Sequence, residues 1–278
     1  MSLLDLSSAF DTVDHDILLK RLELSFGLKS LPIEWFRSYL TDRYQTISFG
    51  GRESKSESVY CGVPQGSVLG PLLFILYTAD VEKLIRTLGL DVHLYADDTQ
   101  QYCCGKPSDI DGLKQKTVHS VEQVARWMAS NRLCLNANKT ECMWCATTRR
   151  QHLLDLAPID LNGSAITPSN SVCDLGVLLS SDMSMNSHVN RVVSECFYKL
   201  RQIKTCRRSI PIPVAASLVN CFIVSKVEYC NALLANQPES VVGRLQSVLN
   251  AAARLVYGLR KFDHITETIR DKLHWLRA

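Results

Sequence analysis

Short apolar runs and helical spacings alternate along residues 1–186. Ser2 to Leu6 is an apolar run typical of a strand, and the apolar positions after it keep a helical spacing up to the breaker Gly27. The elements predicted next are a helix from Pro32, a hairpin around Gly50 and Gly51, a helix over 71–88, strands over 91–95 and 99–103, a helix over 113–131, and strands over 140–145, 159–161 and 172–179. This alternation predicts a mixed α/β domain.

From residue 187 onward the pattern is nearly all helical. Apolar residues recur at helical intervals in two stripes. The first stripe comprises Val189, Val192, Cys196, Leu200 and Ile203, and the second comprises Val241, Leu245, Val248, Ala252 and Leu255. The change of pattern predicts two domains, an α/β domain over 1–186 and an all-helical domain over 187–278.

The composition is that of an ordinary folded protein. Of the 278 residues, 46% are hydrophobic, and 31 Lys and Arg residues against 28 Asp and Glu residues give a formal net charge of +3. This balance excludes disordered and low-complexity classes, and it is too near neutral to indicate a polyanionic partner by itself. No apolar run approaches the roughly 18 residues that a membrane span requires, so no membrane partner is expected.

The cysteines and the first residues of the chain indicate the redox conditions in which the protein works. Eleven cysteines are scattered singly or in close pairs, unlike the framework of a small secreted domain, which favours reduced thiols. The first residues include several acids and lack the basic start and apolar core of a secretory signal. We therefore expect an intracellular, reducing location.

Carboxylates stand at the ends of two strand-like runs. Asp5 follows Ser-Leu-Leu, and Asp97 and Asp98 follow His-Leu-Tyr-Ala. Carboxylates next to buried strand residues need a cationic partner, and a pair of Mg²⁺ ions, which prefer oxygen ligands, would supply one and support phosphoryl transfer. An isolated pair of aspartates more often caps a solvated turn, so the acids alone leave both interpretations open.

Sequence motifs surround these acids in a definite order. They are LLDLSSAFDTVDH at 3–15, CGVPQGSVLGPLLF at 61–74, YADD at 95–98, LNANKTE at 135–141 and LGVLLSSDMS at 175–184. In this order they resemble the successive palm motifs of reverse transcriptases, most closely those of non-LTR (LINE-type) retrotransposons. Two later phrases, LQSVLNAAARLVYG at 245–258 and FDHITETIRDKLHWL at 262–276, resemble the segments after the palm in the same elements. The resemblance therefore covers essentially the whole chain.

The resemblance implies a fold, an activity and a set of ligands. The implied fold is the α+β palm of a right-hand polymerase followed by an all-helical, thumb-like domain. The implied activity is RNA-directed DNA synthesis by two-metal nucleotidyl transfer to a primer 3′ end. Its partners are an RNA template, a DNA primer and dNTPs, and its cofactors are two Mg²⁺ ions, for which Mn²⁺ can substitute. The family also implies a nuclear and cytoplasmic location, although no clear basic targeting run is present.

Catalytic roles are implied where residues match the family's motifs. Asp5 and Asp97 correspond to metal ligands, with the backbone carbonyl of Leu6 as a further ligand. Asp98 is expected near the primer terminus. Lys139 corresponds to a lysine that donates a proton to the pyrophosphate leaving group, and the alternative is an ordinary surface lysine.

Nucleotide and template contacts are implied in the same way. Phe10 stands where the family keeps an aromatic ring that would clash with a 2′-hydroxyl of the incoming sugar, and the alternative is an ordinary core Phe. The loop over 62–67 lacks the patterns of P-loop and dinucleotide sites. The nucleotide- or template-binding residues implied here and in the YADD motif are Pro64, Gln65, Gly66, Ser67 and Tyr95. A structural turn before the next helix is the alternative for the loop.

A basic run lies in the helical part. Its cations face a single acid, Glu195. The residues implied to contact a nucleic-acid backbone are Arg191, Lys199, Arg201 and Lys204, and Arg207 and Arg208 continue the run. This clustering is typical of a thumb helix that faces phosphates, and a solvated basic helix is the alternative.

Two further clusters are interpreted as structural. Cys142 and Cys145 form one CxxC pair without a second pair at zinc spacing, which disfavours a zinc site. Asp11, Asp14 and Asp16 lie where a helix begins and negative charge is favourable, so they are expected to cap that helix.

Two competing functions remain open. The chain starts four residues before Asp5, so we expect the fingers that precede this point in the family to be absent, as well as the amino-terminal endonuclease domain. A catalytically inactive nucleic-acid-binding remnant is therefore the main alternative to an active polymerase. A generic divalent-metal hydrolase is a weaker alternative, because its supporting His or Glu cluster is missing from the sequence.

Overall fold

An antiparallel sheet organises the first part of the chain. The computed structural model describes residues 1–154, 156–161 and 163–275. The strands up to residue 169 are β1 (Ser2–Leu4), β2 (Arg43–Gln45), β3 (Ser48–Phe49), β4 (Arg52–Glu53), β5 (Glu57–Val59), β6 (Asp91–Tyr95), β7 (Asp98–Tyr102), β8 (Glu141–Cys142), β9 (Ile159–Leu161) and β10 (Ser164–Ile166). Four of them form one sheet in the order β6-β7-β1-β8, and each neighbouring pair in it is antiparallel.

Five helices share a core with one face of this sheet. They are α1 (His15–Leu24), α2 (Leu31–Leu40), α3 (Leu69–Thr78), α4 (Asp80–Thr87) and α5 (Ile110–Ser130). Side chains alternate between the two faces of a strand, and Leu4 of β1 and Val92 of β6 point into the same core as Val121 and Val124 of α5. Residues 1–144 and 149–169 form one compact unit around this core, which we call unit 1.

Most elements of unit 1 match the sequence prediction in kind. Pro32 lies in the first turn of α2, as its position before an apolar stripe predicts. The predicted hairpin is a nested one, in which β3 pairs with β4 inside the pairing of β2 with β5. The single helix predicted over 71–88 is wrong in one respect, because the structure divides it at Ala79 into α3 and α4.

A second unit contains most of the helices of the C-terminal part. Its elements are β11 (Ser171–Asp174), β12 (Val177–Ser180), α6 (Asn186–Cys206), α7 (Ile212–Val219), a π-helical turn over Asn220–Val224, α8 (Ser225–Glu228) and α9 (Glu239–Tyr257). All five residues of the apolar stripe on α6 are buried, and they share a core with Val241, Leu245, Val248 and Ala252 of α9. Within the described residues, none of the helices combines the length and apolarity that crossing a membrane requires.

The boundary of this second unit lies earlier than residue 186. Unit 2 comprises residues 145–148 and 170–278, so the β11–β12 hairpin belongs to it. The sequence predicts one strand over 172–179, but the chain turns at Leu175 and Gly176, both with positive φ. The final residues of the predicted helical domain, 276–278, lie outside the described residues.

One buried histidine in unit 2 has a pKa that its surroundings lower. His188 at the start of α6 is 8% exposed, and its Nδ1 accepts a hydrogen bond from the Leu178 N–H at 3.2 Å. Burial, with the nearby cations Arg191 and Lys226, lowers the pKa of His188 below its ordinary value. The unfolded chain therefore binds a proton more readily than the folded chain does.

We expect unit 2 to lose stability as the pH falls below about 6.5, the pKa of an unperturbed histidine, down to the lower pKa of folded His188. His188→Asn removes the titrating group and keeps an oxygen that can accept the Leu178 N–H, so it should flatten this dependence. Melting temperatures measured between pH 5 and 7.5 test the expectation. His119→Asn, at an exposed site in α5, is the matched control. Equal pH slopes for wild type and His188→Asn would contradict it.

Candidate active site

The sheet register brings the predicted acids to one edge of unit 1. Leu4 of β1 pairs with Thr99 of β7, so continuing the register by one residue sets Asp5 opposite Asp98. Tyr95 pairs with Asp98 across the β6–β7 hairpin, which leaves Ala96 and Asp97 as its two-residue turn. By strand alternation Asp5 and Asp98 lie on the face opposite the buried Leu4 and Thr99.

The turn that carries Asp97 is strained. Ala96 has a φ of 52°, a left-handed conformation that is costly for a residue with a Cβ. Strain of this kind persists only where the surrounding structure imposes it, and it is concentrated at functional sites. Asp97 is half-buried, and Tyr95 beside the turn is 66% exposed.

The backbone of Leu6 is oriented toward the same edge. Leu6 forms an isolated antiparallel bridge with Leu135, in which the Ser7 N–H donates to the Cys134 carbonyl and the Asn136 N–H donates to the Asp5 carbonyl, both at 2.9 Å. In such a pair the central residue directs its own N–H and C=O away from the partner segment. The Leu6 carbonyl therefore points to the β7 side, where the hairpin turn lies.

Lys139 contacts the first of these acids. Its Nζ lies 3.1 Å from Asp5 Oδ2, and the two side chains are 64% and 26% exposed. A turn at 136–140 sets this position, because the Asn136 carbonyl accepts the N–H groups of Lys139 at 3.1 Å and Thr140 at 3.0 Å. The structure thus joins Lys139 and Asp5, two residues 134 positions apart that the sequence motifs assign to one site.

The donor set suits a hard cation. Among the described residues, no group of three or more His, Cys, Asp or Glu side chains is arranged to hold a metal ion. The metal-ligand set implied by the resemblance has only two such side chains, the carboxylates of Asp5 and Asp97. Its third ligand is the backbone carbonyl of Leu6. All three are oxygen donors, which Mg²⁺ prefers, and the cationic Lys139 amine already lies against one of them.

The loop over 61–70 is joined to the segment after Asp5 through backbone contacts. The Val63 N–H donates to the Phe10 carbonyl at 2.8 Å, and the Gly62 N–H donates to the Val13 carbonyl at 2.7 Å. Gly62 has a φ of 84°, and a Cβ there would lie 2.9 Å from the Asp11 carbonyl oxygen. Only glycine permits this close approach. The loop therefore has a fixed position relative to Phe10 and Asp11.

The predicted residues of this loop have different surroundings. Gln65 and Gly66 are exposed and Pro64 is half-buried. The Ser67 hydroxyl donates to the Pro64 carbonyl at 2.7 Å and accepts from the Gly70 N–H at 2.9 Å, so both bonds stay within the loop and the first turn of α3. Gly66 has a φ of 79°, which closes the turn.

Phe10 is partly buried in unit 1. Its ring centroid lies 4.9 Å from that of Phe74 in α3, and the two rings are inclined at 35°. This contact supports the alternative of a core Phe for the inner part of the ring. Because the side chain is only half-buried, part of it still reaches the surface beside the loop.

The expectation of capping is confirmed for only part of the Asp11, Asp14 and Asp16 cluster. Asp14 is the N-cap of α1, and its Oδ1 accepts from the N–H groups of Asp16 and Ile17 at 3.0 Å. Asp16 lies in the first turn. Asp11 is not a cap, because its Oδ1 accepts a hydrogen bond from Gln65 Nε2 at 3.0 Å. Sequence analysis therefore missed Asp11, since no local signal links residues 54 positions apart.

Hydrogen bonds to Asn131, which the sequence does not predict, fix the end of α5 before the segment that carries Lys139. The Tyr77 hydroxyl donates to the Asn131 carbonyl at 2.6 Å, and Arg21 donates to the Asn131 side chain at 2.9 Å. Burial raises the pKa of Tyr77, so the hydroxyl remains a donor at neutral pH. These bonds fix the end of α5, from which the chain continues to Leu135 and Lys139.

The four cations implied to contact a nucleic-acid backbone all lie on α6 in unit 2 and are exposed. Arg191 forms an ion pair with Glu195 at 3.1 Å, and Lys199 Nζ lies 6.0 Å from the centroid of the Phe222 ring. Arg207 differs from them, because its guanidinium donates to the Leu255 and Val256 carbonyls at the end of α9. Arg207 therefore stabilises the helical unit, whereas the four cations of α6 are exposed to solvent.

Comparison with solved structures finds telomerases. One is telomerase from Candida albicans in complex with a fragment of telomeric RNA, with a TM-score of 0.49 and 13% identity over 100% of this chain and 51% of that chain. Another is apo telomerase from Candida tropicalis, with a TM-score of 0.48 and 14% identity over 97% of this chain and 43% of that one.

Curated relatives are polymerases of mobile elements. The probable RNA-directed DNA polymerase from transposon X-element of Drosophila melanogaster is 27% identical over 96% of this chain and 29% of its own length. The RNA-directed DNA polymerase from mobile element jockey of Drosophila funebris is 25% identical over 81% of this chain and 25% of its own. The chain thus spans less than a third of the length of these two relatives.

A family profile covers the region that contains the acids, the loop and Lys139. The profile described as reverse transcriptase (RNA-dependent DNA polymerase) matches residues 1–179, which is more than half of the chain. The motifs that resemble non-LTR retrotransposon polymerases fall in the same region, apart from the end of LGVLLSSDMS at 175–184 and the two phrases that follow it. The chain therefore belongs to the reverse transcriptase family.

Proposed function

We propose that this chain contains the catalytic region of a non-LTR retrotransposon polymerase, which copies an RNA template into DNA from a primer 3′ end. One observation carries the proposal: the sheet register sets Asp5 opposite Asp98 and next to the Asp97 turn, with the Leu6 carbonyl directed to the same edge. Carboxylates from adjacent strands are what two-metal phosphoryl transfer requires. Unit 1 is then the palm, and unit 2 is the thumb.

Asp5, Asp97 and the Leu6 carbonyl would hold the divalent metal ions. When bound, Mg²⁺ would polarise the reacting phosphate and favour ionisation of the primer hydroxyl. The carboxylates would fix the positions of the bound metal ions before substrate arrives, so that little reorganisation would be left for the reaction itself. Asp98 lies beside them at the proposed primer terminus.

Lys139 has a proposed role in the departure of pyrophosphate. In the transfer, the primer 3′-hydroxyl releases its proton to solvent, its oxygen forms a bond to the α-phosphorus of the dNTP, and the bond to pyrophosphate breaks. Lys139 Nζ lies 3.1 Å from Asp5 Oδ2, so its ammonium group can give a proton to the leaving group at this site. The same charge balances Asp5 when no substrate is bound.

The remaining predicted residues would hold the nucleic acid and the nucleotide. Tyr95 offers aromatic surface beside the Asp97 turn, and the loop that includes Gln65 and Gly66 lies against the Phe10 backbone. The half-buried ring of Phe10 is proposed to contact the sugar of the nucleotide. Exposed cations of α6, including Lys199 and Arg201, are proposed to contact phosphates of the template–primer duplex. RNA, DNA primer and dNTPs are the partners that this arrangement would serve.

Primer extension by the purified chain tests the proposal. A labelled DNA primer annealed to an RNA template should lengthen when dNTPs and Mg²⁺ are both present, and omission of either, or addition of a chelator, should stop it. Binding of the primer–template, followed by fluorescence anisotropy, should weaken as salt rises. A folded chain that binds primer–template without extending the primer would contradict the proposal and would favour the inactive binding remnant.

A further inference from the structure

A cavity opens between α6 and the π-helical turn of unit 2. Its volume is about 430 Å³, which lies within the range of about 300–1,000 Å³ that is typical of small-ligand sites. A π-helical turn inside a run of helix is rare and is frequently found at a functional site. The side chains that line the cavity include Glu195, Tyr198 and Lys199 of α6, Phe222 of the turn and Lys226 of α8.

Packing beneath the cavity holds its two walls. Cys196 and Leu200 of α6 and Ile223 of the π-helical turn are buried together in the core of unit 2. Tyr198 lies between the two core positions of α6, and Phe222 directly precedes Ile223. The side chain of Tyr198 is 53% exposed and that of Phe222 is 50% exposed. Two aromatic rings are therefore half open to solvent on a fixed scaffold.

The charges along the cavity leave one cation available. The Glu195 carboxylate already forms ion pairs with Arg191, at 3.1 Å, and with Lys226. Lys199, by contrast, forms no ion pair within the described residues. Its Nζ lies 5.8 Å from the centroid of the Tyr198 ring and 6.0 Å from that of the Phe222 ring. An ammonium group without an acidic partner thus lies close to both rings.

We propose that this cavity binds an unpaired nucleotide of an RNA or DNA strand, with the base against the Tyr198 and Phe222 rings and the phosphate near Lys199. The inference rests on the proposed function, in which unit 2 contacts nucleic acid, and extends it from the duplex to a single strand. A nucleotide combines a flat ring with a negative charge, which two exposed rings and one unpaired cation complement. Aromatic rings beside cations are typical of proteins that bind single strands.

An unpaired base fits this site better than a paired one. Bases of a single strand can turn outward and stack on aromatic side chains, whereas bases within a duplex are already stacked on their neighbours. A polymerase that copies a template also holds such a strand, because the template ahead of the primer end is not yet paired. A free nucleotide offers the same ring and charge, so the experiment must separate these two sources.

Photocrosslinking locates the base. When irradiated, 5-iodouracil in a single-stranded oligonucleotide crosslinks to aromatic side chains that contact it, and mass spectrometry of the digested protein identifies the residue. We expect crosslinks to Tyr198 or Phe222 from single-stranded RNA, single-stranded DNA or both. The same base in a fully paired duplex, or as the free deoxynucleoside triphosphate, should give far fewer. Absence of crosslinks to both rings, or equal crosslinking by the duplex or the free nucleotide, would overturn the inference.

Substitution of a ring measures its contribution to binding. Phe222→Leu removes the ring of a half-exposed side chain and keeps it apolar, so the melting temperature should change little. The affinity for a single-stranded oligonucleotide should fall about five- to fiftyfold, as expected for the loss of one stacked base, and Phe222→Tyr should keep most of it.

Phe262→Leu is the matched control for this loss of affinity. Phe262 is 88% exposed, and Lys261 Nζ lies 5.5 Å from its ring centroid, but this pair does not line the cavity. The control should bind the oligonucleotide as the wild type does. Equal losses of affinity in Phe222→Leu and Phe262→Leu would contradict the inference.

The salt dependence of binding tests the phosphate contact. Lys199→Gln should lower the slope of log affinity against log salt concentration by about 0.7, the value for one phosphate of a single strand, and Lys261→Gln should leave it unchanged. An unchanged slope in Lys199→Gln would overturn this part of the inference. None of these readouts requires turnover, so absence of primer extension by the wild type would count against the proposed function alone. Extension by a chain whose two rings neither crosslink nor contribute to affinity would overturn the inference alone.

Discussion

Asp97→Asn is expected to reduce primer extension on the order of a thousandfold while the chain stays folded. The substitution keeps the shape of the side chain and removes the charge that a divalent metal needs. Metal-bound carboxylates supply several kcal/mol of transition-state stabilisation, and each 1.36 kcal/mol corresponds to a tenfold change in rate. Single-turnover extension on an RNA template measures the loss.

Asp5→Asn should cause a loss of similar size. It also leaves Lys139 without the carboxylate 3.1 Å away, but an ion pair with a 64% exposed lysine contributes at most about 1 kcal/mol to stability. The melting temperature should therefore change little although the activity is lost. This separation between activity and stability is what distinguishes a metal ligand from a structural acid.

Asp91→Asn is the matched control for both variants. Asp91 begins β6, in the same hairpin as Asp97, and its carboxylate pairs with Arg86 at 3.8 Å on the protein surface. The control should extend primers at the wild-type rate. If Asp97→Asn retained activity within about tenfold of the control, the assignment of Asp97 as a metal ligand would be wrong.

Periodicity predicted the helical unit well because its information is local. Each apolar residue predicted on α6 is buried, since a helix of fixed pitch brings every third or fourth residue to one face. On α9 the predicted stripe is buried as far as Ala252. Near the end of the helix, Val256 is more buried than the predicted Leu255. Small drift of this kind is expected because 3.6 residues per turn do not divide a stripe evenly.

Element ends were harder to predict where the signal was weak or was overlooked. Gly176 lies in the turn between β11 and β12. A glycine inside an apolar run can indicate a turn, but the apolar residues on both sides favoured one continuous strand. Ala79 interrupts the helix predicted over 71–88 without a Gly or Pro at the break, so no residue type announced it. The position of such a helix break depends on tertiary packing, about which the periodicity of the sequence carries no information.

In the candidate site, too, some residues could be predicted from the sequence and others could not. The order of the motifs assigns Asp5, Asp97 and Lys139 to one candidate site, and the structure brings Lys139 against Asp5. Asp11 was assigned to helix capping because it lies near the start of α1, but Asp14 provides that cap. The actual partner of Asp11 is Gln65, which only the pairing of two distant segments brings near.

Gly62→Ala is expected to have the largest effect on stability among the loop substitutions. Gly62 has a φ of 84°, which costs an alanine about 1–2 kcal/mol. Its added Cβ would lie 2.9 Å from the Asp11 carbonyl oxygen and 3.0 Å from Asp11 Cα, so the two backbones must separate, at a further cost of about 1–3 kcal/mol. Urea unfolding should show a total loss of about 2–5 kcal/mol.

Gly66→Ala isolates the conformational part of this loss. Gly66 has a φ of 79°, and a Cβ there would meet no heavy atom within 4 Å, so only the cost of about 1–2 kcal/mol for positive φ applies. Equal destabilisation by the two substitutions would show that the loop can move away from Asp11 at no cost. In that case the Gln65 amide could not be held by backbone pairing. A larger loss for Gly62→Ala, accompanied by a shift of the Gln65 side-chain resonances, would instead show that the close approach of the two backbones holds Asp11 and Gln65 together.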